Sequence, residues 1–144
     1  MTWILVADDD TPTRDTIRFV LEDAGYQVLE ARDGREALTA LNHTSRPLVA
    51  LIDLLMPCMD GVALLRTVVT DAQLASRHRY IGMTAAVGPV TPLAESLLTQ
   101  LHSSLLLKPF DMDTLLTAVE RARASLSVRT ARRKASKPLS PTQE

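Results

Sequence analysis

The stretch Trp3-Ile4-Leu5-Val6-Ala7-Asp8-Asp9-Asp10 is an apolar run that ends abruptly on carboxylates. The same change recurs three times: Leu48–Ile52 is followed by Asp53, Tyr80–Met83 by Thr84, and Leu105–Leu107 by Lys108. Short runs rich in Val, Ile and Leu are typical of strands that are buried on both faces of a parallel sheet. The polar residues that follow such strands meet at one edge of the sheet. We therefore expect the functional site at that edge.

Helical patterns separate these runs. After the first run, Thr11-Pro12 is a typical helix start, and apolar residues then recur at helical spacing until Gly25. Tyr26–Ala31 is a further predicted strand, and four more helical segments follow, the last over about Asp111–Leu126. Residues 74–79 are assigned to neither type. Five right-handed strand–helix units predict an α/β fold: a flavodoxin-like, doubly wound, five-stranded parallel sheet of order 2-1-3-4-5 with five helices.

The length of 144 residues and the 46% hydrophobic content predict one globular domain, residues 1–126. From residue 127 the chain has five basic residues and one acid, and its Pro and Ser content predicts a basic, disordered tail over 127–144. Contact of this tail with nucleic acid is the less favoured interpretation. No apolar run is long enough to span a membrane and no targeting signal is recognised, which predicts a cytoplasmic protein.

The strand-end residues have the chemistry of a phosphoryl-transfer site. Asp8, Asp9 and Asp53 would repel one another without a cation, and their hard oxygen ligands suit Mg²⁺. An exposed carboxylate at a strand end can attack phosphorus, so Asp53 is the candidate nucleophile. Lys108 and Thr84 can supply the cation and the hydroxyl that meet the charge on the phosphoryl oxygens.

Lys108 has independent support from the choice of basic residues. Residues 1–126 contain ten arginines and this single lysine, which indicates a site-specific need for a compact ammonium. Pro109 follows it and can adopt a cis Lys–Pro bond that sets the direction of the chain. Taken alone, each signal also has an ordinary explanation: Asp8 and Asp9 as acids near a helix start, Thr84 as a backbone partner, and Lys108 as a surface lysine.

Taken together, these motifs resemble the receiver domain of two-component response regulators over residues 3 to about 126. The residues that carry the resemblance are Ile4-Leu5-Val6-Ala7-Asp8-Asp9-Asp10, Asp53 with Met56-Pro57 and Met59-Asp60-Gly61, Thr84-Ala85, and Lys108-Pro109-Phe110. The resemblance implies that Asp53 is the phosphorylation site and that Asp9, Asp53 and the backbone carbonyl of Leu55 ligate Mg²⁺, with Asp8 acting through a metal-bound water. It further implies that Lys108 pairs with the phosphoryl oxygens and that the Thr84 hydroxyl turns toward the phosphate, a movement for which the small Ala85 leaves room.

Two positions depart from the pattern of that family. Leu105 occupies the position, three before the lysine, where the family usually has an aromatic residue coupled to the movement of the threonine. Leu55 is apolar at a position that faces the attacking water in the family, which predicts slower loss of phosphate than in relatives with a polar residue there.

The resemblance predicts a single-domain response regulator, a signalling phospho-acceptor and not an enzyme in the ordinary sense. Its expected partners are a sensor histidine kinase or phosphotransfer protein and a downstream protein target that docks to the phosphorylated form; a place within a phosphorelay and a homodimer are left open. Two alternatives remain: a pseudo-receiver that acts as a scaffold or dimerisation module without phosphorylation, and a Mg²⁺-dependent phosphatase using Asp8-Asp9-Asp10. Pro12 and the lack of a cap domain count against the phosphatase.

Overall fold

Strands and helices alternate along the chain in the computed structural model, which describes residues 2–56, 58–85 and 90–136 and, within 127–136, the backbone alone. The strands are β1 Trp3–Ala7, β2 Gln27–Ala31, β3 Leu48–Asp53, β4 Arg79–Ala85 and β5 Ser104–Lys108, and the helices are α1 Thr11–Asp23, α2 Gly34–His43, α3 Gly61–Val69, α4 Ala72–Arg77, α5 Pro92–Gln100 and α6 Met112–Ser136. The five strands are parallel and lie in the order β2-β1-β3-β4-β5. The predicted α/β class and strand order are confirmed.

The described part of the chain has six helices, so the predicted number of five is wrong by one. The additional helix is α4, which falls in the stretch that the pattern left unassigned. Asp71 is its N-cap, and the Asp71 carboxylate accepts hydrogen bonds from the backbone N–H groups of Gln73 and Leu74. Leu74 is its one buried residue. A helix of six residues is too short to show a helical repeat, which is why the sequence did not reveal it.

The core lies on both faces of the sheet because the strand residues alternate between them. In β1, Leu5 and Ala7 pack with the cluster that includes α2, α3 and α5. Ile4 and Val6 point to the other face, where they pack with residues of α1 and α6. The central strands are therefore apolar along most of their length and carry polar residues only near their ends, as the apolar runs in the sequence indicate.

Helix ends follow the local sequence. Asp10 directly precedes the Thr11-Pro12 helix start, a position that predicts a capping role, and its carboxylate does cap α1 by accepting a hydrogen bond from the Thr13 N–H at 3.1 Å. The last helix runs through Ser136, beyond the end expected near Leu126. The division of the chain at residue 126 stays a prediction, and residues 137–144 of the predicted tail lie outside the described residues.

The three histidines differ in their surroundings. His43 and His102 are exposed, as the sequence suggests, but His78 is fully buried. The ring of His78 accepts a hydrogen bond from the Leu48 N–H at 2.9 Å and lies 3.1 Å from the Leu41 carbonyl oxygen. In the sequence, all three histidines lie at predicted helix ends or loops and have no metal-ligand spacing, which predicts ordinary surface histidines. For His78 this prediction is wrong, because its ring connects the start of β3 to α2.

No helix in the described ranges combines the length and the apolar character that crossing a membrane requires.

Candidate functional site

The strand ends that carry polar residues meet at one edge of the sheet. Asp53 is the last residue of β3 and pairs with Met83 in β4, while Lys108 ends β5 opposite Ala85. Asp8 directly follows β1, which lies on the other side of β3. The topology thus places residues that are a hundred positions apart in the sequence next to one another.

Lys108 connects the two buried carboxylates of this edge. Its Nζ donates hydrogen bonds to Asp8 Oδ2 at 2.5 Å and to Asp53 Oδ2 at 3.1 Å. Asp8 is fully buried and Asp53 is only 6% exposed, while Lys108 is partly exposed, so both interactions are partly shielded from bulk water. Charge-assisted hydrogen bonds in such surroundings are strong. The Lys108–Pro109 peptide bond is cis, as the sequence allows.

Three carboxylates surround a point where a metal ion fits. Oxygen atoms from Asp8, Asp9 and Asp53 all lie within 4.8 Å of one another, with Asp9 exposed and the other two buried. One ammonium group balances only one of these three negative charges. A cluster of hard oxygen donors with an open, solvent-facing side suits Mg²⁺, which keeps several of its own waters.

The pKa values at the site reflect burial first and the balance of charges second. Burial raises the pKa of Asp53 above its ordinary value, and the nearby Asp8 adds to the rise, although the Leu55 N–H and Lys108 favour the charged form. Burial lowers the pKa of Lys108, but its hydrogen bonds to Asp8 and Asp53 outweigh that effect and leave the pKa above its ordinary value. The shifts of Asp53 and Lys108 are consistent with each other. The Lys108 ammonium stays charged because two carboxylates accept its hydrogen bonds, but its single charge cannot neutralise both of them.

Comparison with known proteins identifies the family. A family model described as the response regulator receiver domain matches residues 4–120. The chain belongs to the response regulator receiver family. The family inferred from the sequence motifs is thereby confirmed.

Relatives of this receiver domain differ in length. Sporulation initiation phosphotransferase F of Bacillus subtilis is 34% identical over 121 residues, a match that covers 82% of this chain and 90% of that protein. The structure of the chemotaxis protein CheY4 of Vibrio cholerae has a TM-score of 0.71 at 28% identity and covers 85% of this chain and 98% of that one. Response regulator MprA of Mycolicibacterium vanbaalenii is 43% identical over 63 residues, which are 44% of this chain and 27% of that protein. The chain spans less than half the length of several curated relatives that it matches, with shares of 47%, 27% and 32%.

The loop after Asp53 in this receiver domain is held by tight backbone contacts. Asp53 Oδ1 accepts a hydrogen bond from the Leu55 N–H at 3.0 Å, and the Leu54 N–H donates to the Met83 carbonyl at 2.8 Å. A Cβ atom on Gly61 would overlap the Asp53 carbonyl oxygen and lie 2.7 Å from the Leu54 Cα. Glycine is therefore required at the start of α3, a role that the sequence analysis did not assign to Gly61 beyond its place in a motif.

Thr84 lies on β4, directly after Met83, the partner of Asp53, and Leu105 lies on β5 opposite Gly82. The Thr84 hydroxyl donates a hydrogen bond of 3.4 Å to the backbone carbonyl of Ala85, so the structure places Thr84 at the edge but engaged with its own strand. Leu105 is partly buried and packs against the core; a Cβ on Gly82 would lie 3.2 Å from its Cδ1. Leu105 thus packs inward at the position where the family usually has an aromatic residue.

One residue near the site was missed by the sequence analysis altogether. Arg14 is buried in α1, and its Nη1 donates a hydrogen bond of 2.7 Å to the backbone carbonyl of Asp8. A signal for it does exist in the sequence. Arg14 precedes Ile17 by three positions and Leu21 by seven, so it occupies the apolar stripe of an amphipathic helix, where an arginine needs specific partners.

Proposed function

We propose that this receiver domain accepts a phosphoryl group on Asp53 with the help of Mg²⁺ and thereby acts as a switch in two-component signalling. The observation that carries the proposal is the bridge from Lys108 to both Asp8 and Asp53 beside a three-carboxylate cluster. Such an arrangement combines a nucleophile, a fixed cation and a set of metal ligands in one place, which are the parts that phosphoryl transfer needs.

In the proposed step, a carboxylate oxygen of Asp53 attacks phosphorus and forms a new O–P bond. The bond between phosphorus and the donor breaks at the same time, and the donor leaves with its electron pair. Lys108, already at the site, would stabilise the charge on the transferred group. Asp8, Asp9, Asp53 and the backbone carbonyl of Leu55 would hold the Mg²⁺ directly or through its waters, and the ion would supply positive charge to the phosphoryl oxygens.

Signal output would begin at Thr84. Its hydroxyl would exchange the long hydrogen bond to Ala85 for one to the phosphoryl group, and this exchange would bias the surface formed by β4, α5, β5 and α6. Because Leu105 already packs inward, the proposed change does not depend on an aromatic side chain moving from outside to inside. The expected reader is a protein that docks to the altered surface.

The expected phosphodonor is a sensor histidine kinase or a phosphotransfer protein in the cytoplasm, and the proposed output needs no nucleic-acid contact. The name of the Bacillus subtilis relative, a phosphotransferase, supports a role in a phosphorelay as one form of the same function. A homodimer is compatible with the proposal but not required by it. The domain would act as a single unit of signalling and not as an enzyme that turns over a separate substrate.

Phosphorylation by a small-molecule donor tests the proposal. Wild type and Asp53→Asn are incubated with acetyl phosphate and Mg²⁺, and intact mass is recorded over time alongside a receiver of known activity. We expect the wild type to gain one phosphoryl group and Asp53→Asn to gain none. An unmodified wild type, while the control receiver is labelled, would favour the pseudo-receiver. Labelling that survives in Asp53→Asn but disappears in Asp8→Asn would favour the phosphatase.

A further inference from the structure

Arg14 joins α1 to the backbone of the acidic edge. Its side chain is 9% exposed, and its Nε forms an ion pair of 2.9 Å with Glu30 Oε1 on β2. Its Nη1 donates to the Asp8 carbonyl at 2.7 Å, in a contact that is buried. The planar guanidinium can serve both partners at once because its donors have fixed directions.

These contacts complete the hydrogen bonding of Asp8. The Asp8 N–H donates to the Ala31 carbonyl at 3.1 Å, so Arg14 and Ala31 together hold both polar groups of its backbone. The carboxylate of Asp8 is then held by the Asp10 N–H at 2.9 Å and by Lys108. With its backbone fixed from both sides, Asp8 presents its carboxylate in one position.

Removing Arg14 would leave the Asp8 carbonyl buried without its partner. A buried polar group that loses its hydrogen bond becomes costly, and the end of β1 would shift to regain contact with water or another donor. The Asp8 carboxylate and the adjoining Asp9 would move with that backbone. Residues that hydrogen-bond to metal ligands, without contacting the metal themselves, commonly affect metal affinity for this reason.

The positive charge of Arg14 should lower the affinity of the site for Mg²⁺, whereas its positioning of Asp8 should raise that affinity. A cation near the acidic cluster repels a divalent metal ion, so removing charge alone would tighten binding. Glu30 pairs with Arg14 and also with Arg18, an exposed residue of α1. The two possible roles of Arg14 therefore predict changes of opposite sign in Mg²⁺ affinity.

We propose that Arg14 is a positioning residue for the metal and phosphoryl site, acting by fixing the backbone of Asp8. The inference rests on the proposed function, because Mg²⁺ is the ligand whose binding it would control. Arg14 does not contact the metal or the phosphoryl group in this proposal, and the Glu30 carboxylate keeps its guanidinium in place.

The test measures Mg²⁺ binding without any phosphodonor. The 144-residue chain is titrated with MgCl₂, and the amide shifts of Asp9 and Leu55 are followed by two-dimensional NMR. Arg14→Met keeps an apolar stem but cannot donate a hydrogen bond, and we expect its Kd for Mg²⁺ to rise by about tenfold. Arg14→Lys should recover part of the affinity. The matched control is Arg18→Met, which removes the other arginine bound to Glu30 and should keep the wild-type Kd.

The outcomes separate this inference from the proposed function. If wild type binds Mg²⁺ and Arg14→Met binds it equally or more tightly, the positioning role is wrong while the proposed function stands. If wild type itself shows no Mg²⁺ binding, both are wrong. An equal loss in Arg18→Met would also overturn the positioning role, since that side chain has no contact with Asp8 among the interactions described.

Folding is checked by circular dichroism and urea unfolding. If Arg14→Met does not fold, Arg14→Lys decides, because it keeps the charge: a Kd at the wild-type value would overturn the inference, and a higher Kd would support it. A general loss of stability is distinguished by His78→Asn, a change at a buried histidine beside the N-terminal end of β3. This variant should be less stable than wild type and still bind Mg²⁺ with wild-type affinity.

Discussion

Lowering the pH should destabilise this protein through His78. The ring nitrogen Nδ1 accepts a hydrogen bond from the Leu48 N–H, which requires that nitrogen to be unprotonated. The other nitrogen lies 3.1 Å from the Leu41 carbonyl oxygen and therefore carries the proton. Protonating the ring would turn the acceptor into a donor that faces an N–H group, in a place with no exposure to water.

The size of the effect follows from the shift in pKa. Burial lowers the pKa of His78 from 6.5 to about 4, so the folded protein takes up this proton later than the unfolded chain does. The stabilisation is complete above the unfolded pKa and is lost as the pH falls from there toward the folded pKa. Between pH 7.5 and pH 5, the free energy of unfolding should decrease by about 2 kcal/mol from this residue alone.

Urea unfolding at these two pH values measures the loss, with EDTA present so that bound metal does not contribute. His78→Asn keeps an oxygen acceptor for the Leu48 N–H but does not titrate in this range. It should be less stable than wild type at pH 7.5, and its own decrease between the two pH values should be smaller by about 2 kcal/mol. The matched control is His102→Asn, a change at an exposed histidine, which should show the full wild-type decrease.

The comparison between variants removes the effect of carboxylates that titrate in the same range. An equal decrease in wild type and His78→Asn would refute the reasoning, because it would mean that His78 binds its proton equally in the folded and unfolded states. A decrease that disappears in His102→Asn would refute it as well.

Two further predictions concern the loop after Asp53, the proposed phosphorylation site. Gly61→Ala would force a Cβ atom into the Asp53 carbonyl, so phosphorylation by acetyl phosphate should slow by about tenfold or more. The control is Gly25→Ala, where a positive φ of 97° strains the chain but no atom lies within 4 Å of the added Cβ; it should cost about 1 kcal/mol of stability and leave the phosphorylation rate unchanged. Equal phosphorylation rates in the two variants would contradict this. Leu55, which is 68% exposed, cannot hydrogen-bond an attacking water, so Leu55→Asn should speed loss of phosphate by about fivefold, the effect of roughly 1 kcal/mol from one neutral hydrogen bond. Intact mass after removal of the donor measures it, and equal or slower loss would refute the reasoning.

The strand ends were predictable from the sequence because the signals were local and repeated. Each apolar run is long enough to define a buried strand, and the residue that follows it marks the edge. The same holds for Asp10, whose capping role depends only on the three residues after it. These features need no knowledge of which elements touch in the folded protein.

His78 was not predictable from local sequence. It stands between Arg77 and Arg79, and a basic run of this kind ordinarily indicates a solvated surface. Its burial depends on two partners, Leu41 and Leu48, which lie thirty or more positions earlier in the chain. Arg79 itself is largely buried, and its Nε donates to Ser125 Oγ at 3.1 Å. Long-range contacts of polar side chains determine such positions, and no periodic pattern records them.

The arrangement of charge explains why the site depends on a stable scaffold. Asp8, Asp9 and Asp53 carry three negative charges, Lys108 offsets one of them, and the charge of Arg14 is balanced by Glu30. The edge is therefore short of two positive charges, which is the charge of one Mg²⁺ ion. Before any such ion binds, the folded scaffold has to hold these like charges together. Burial raises the pKa of Asp53, and repulsion from Asp8 adds a smaller contribution to the rise. In the proposed mechanism a divalent ion would relieve this repulsion and leave the Asp53 carboxylate charged, so that metal binding would prepare the nucleophile before the phosphoryl group arrives.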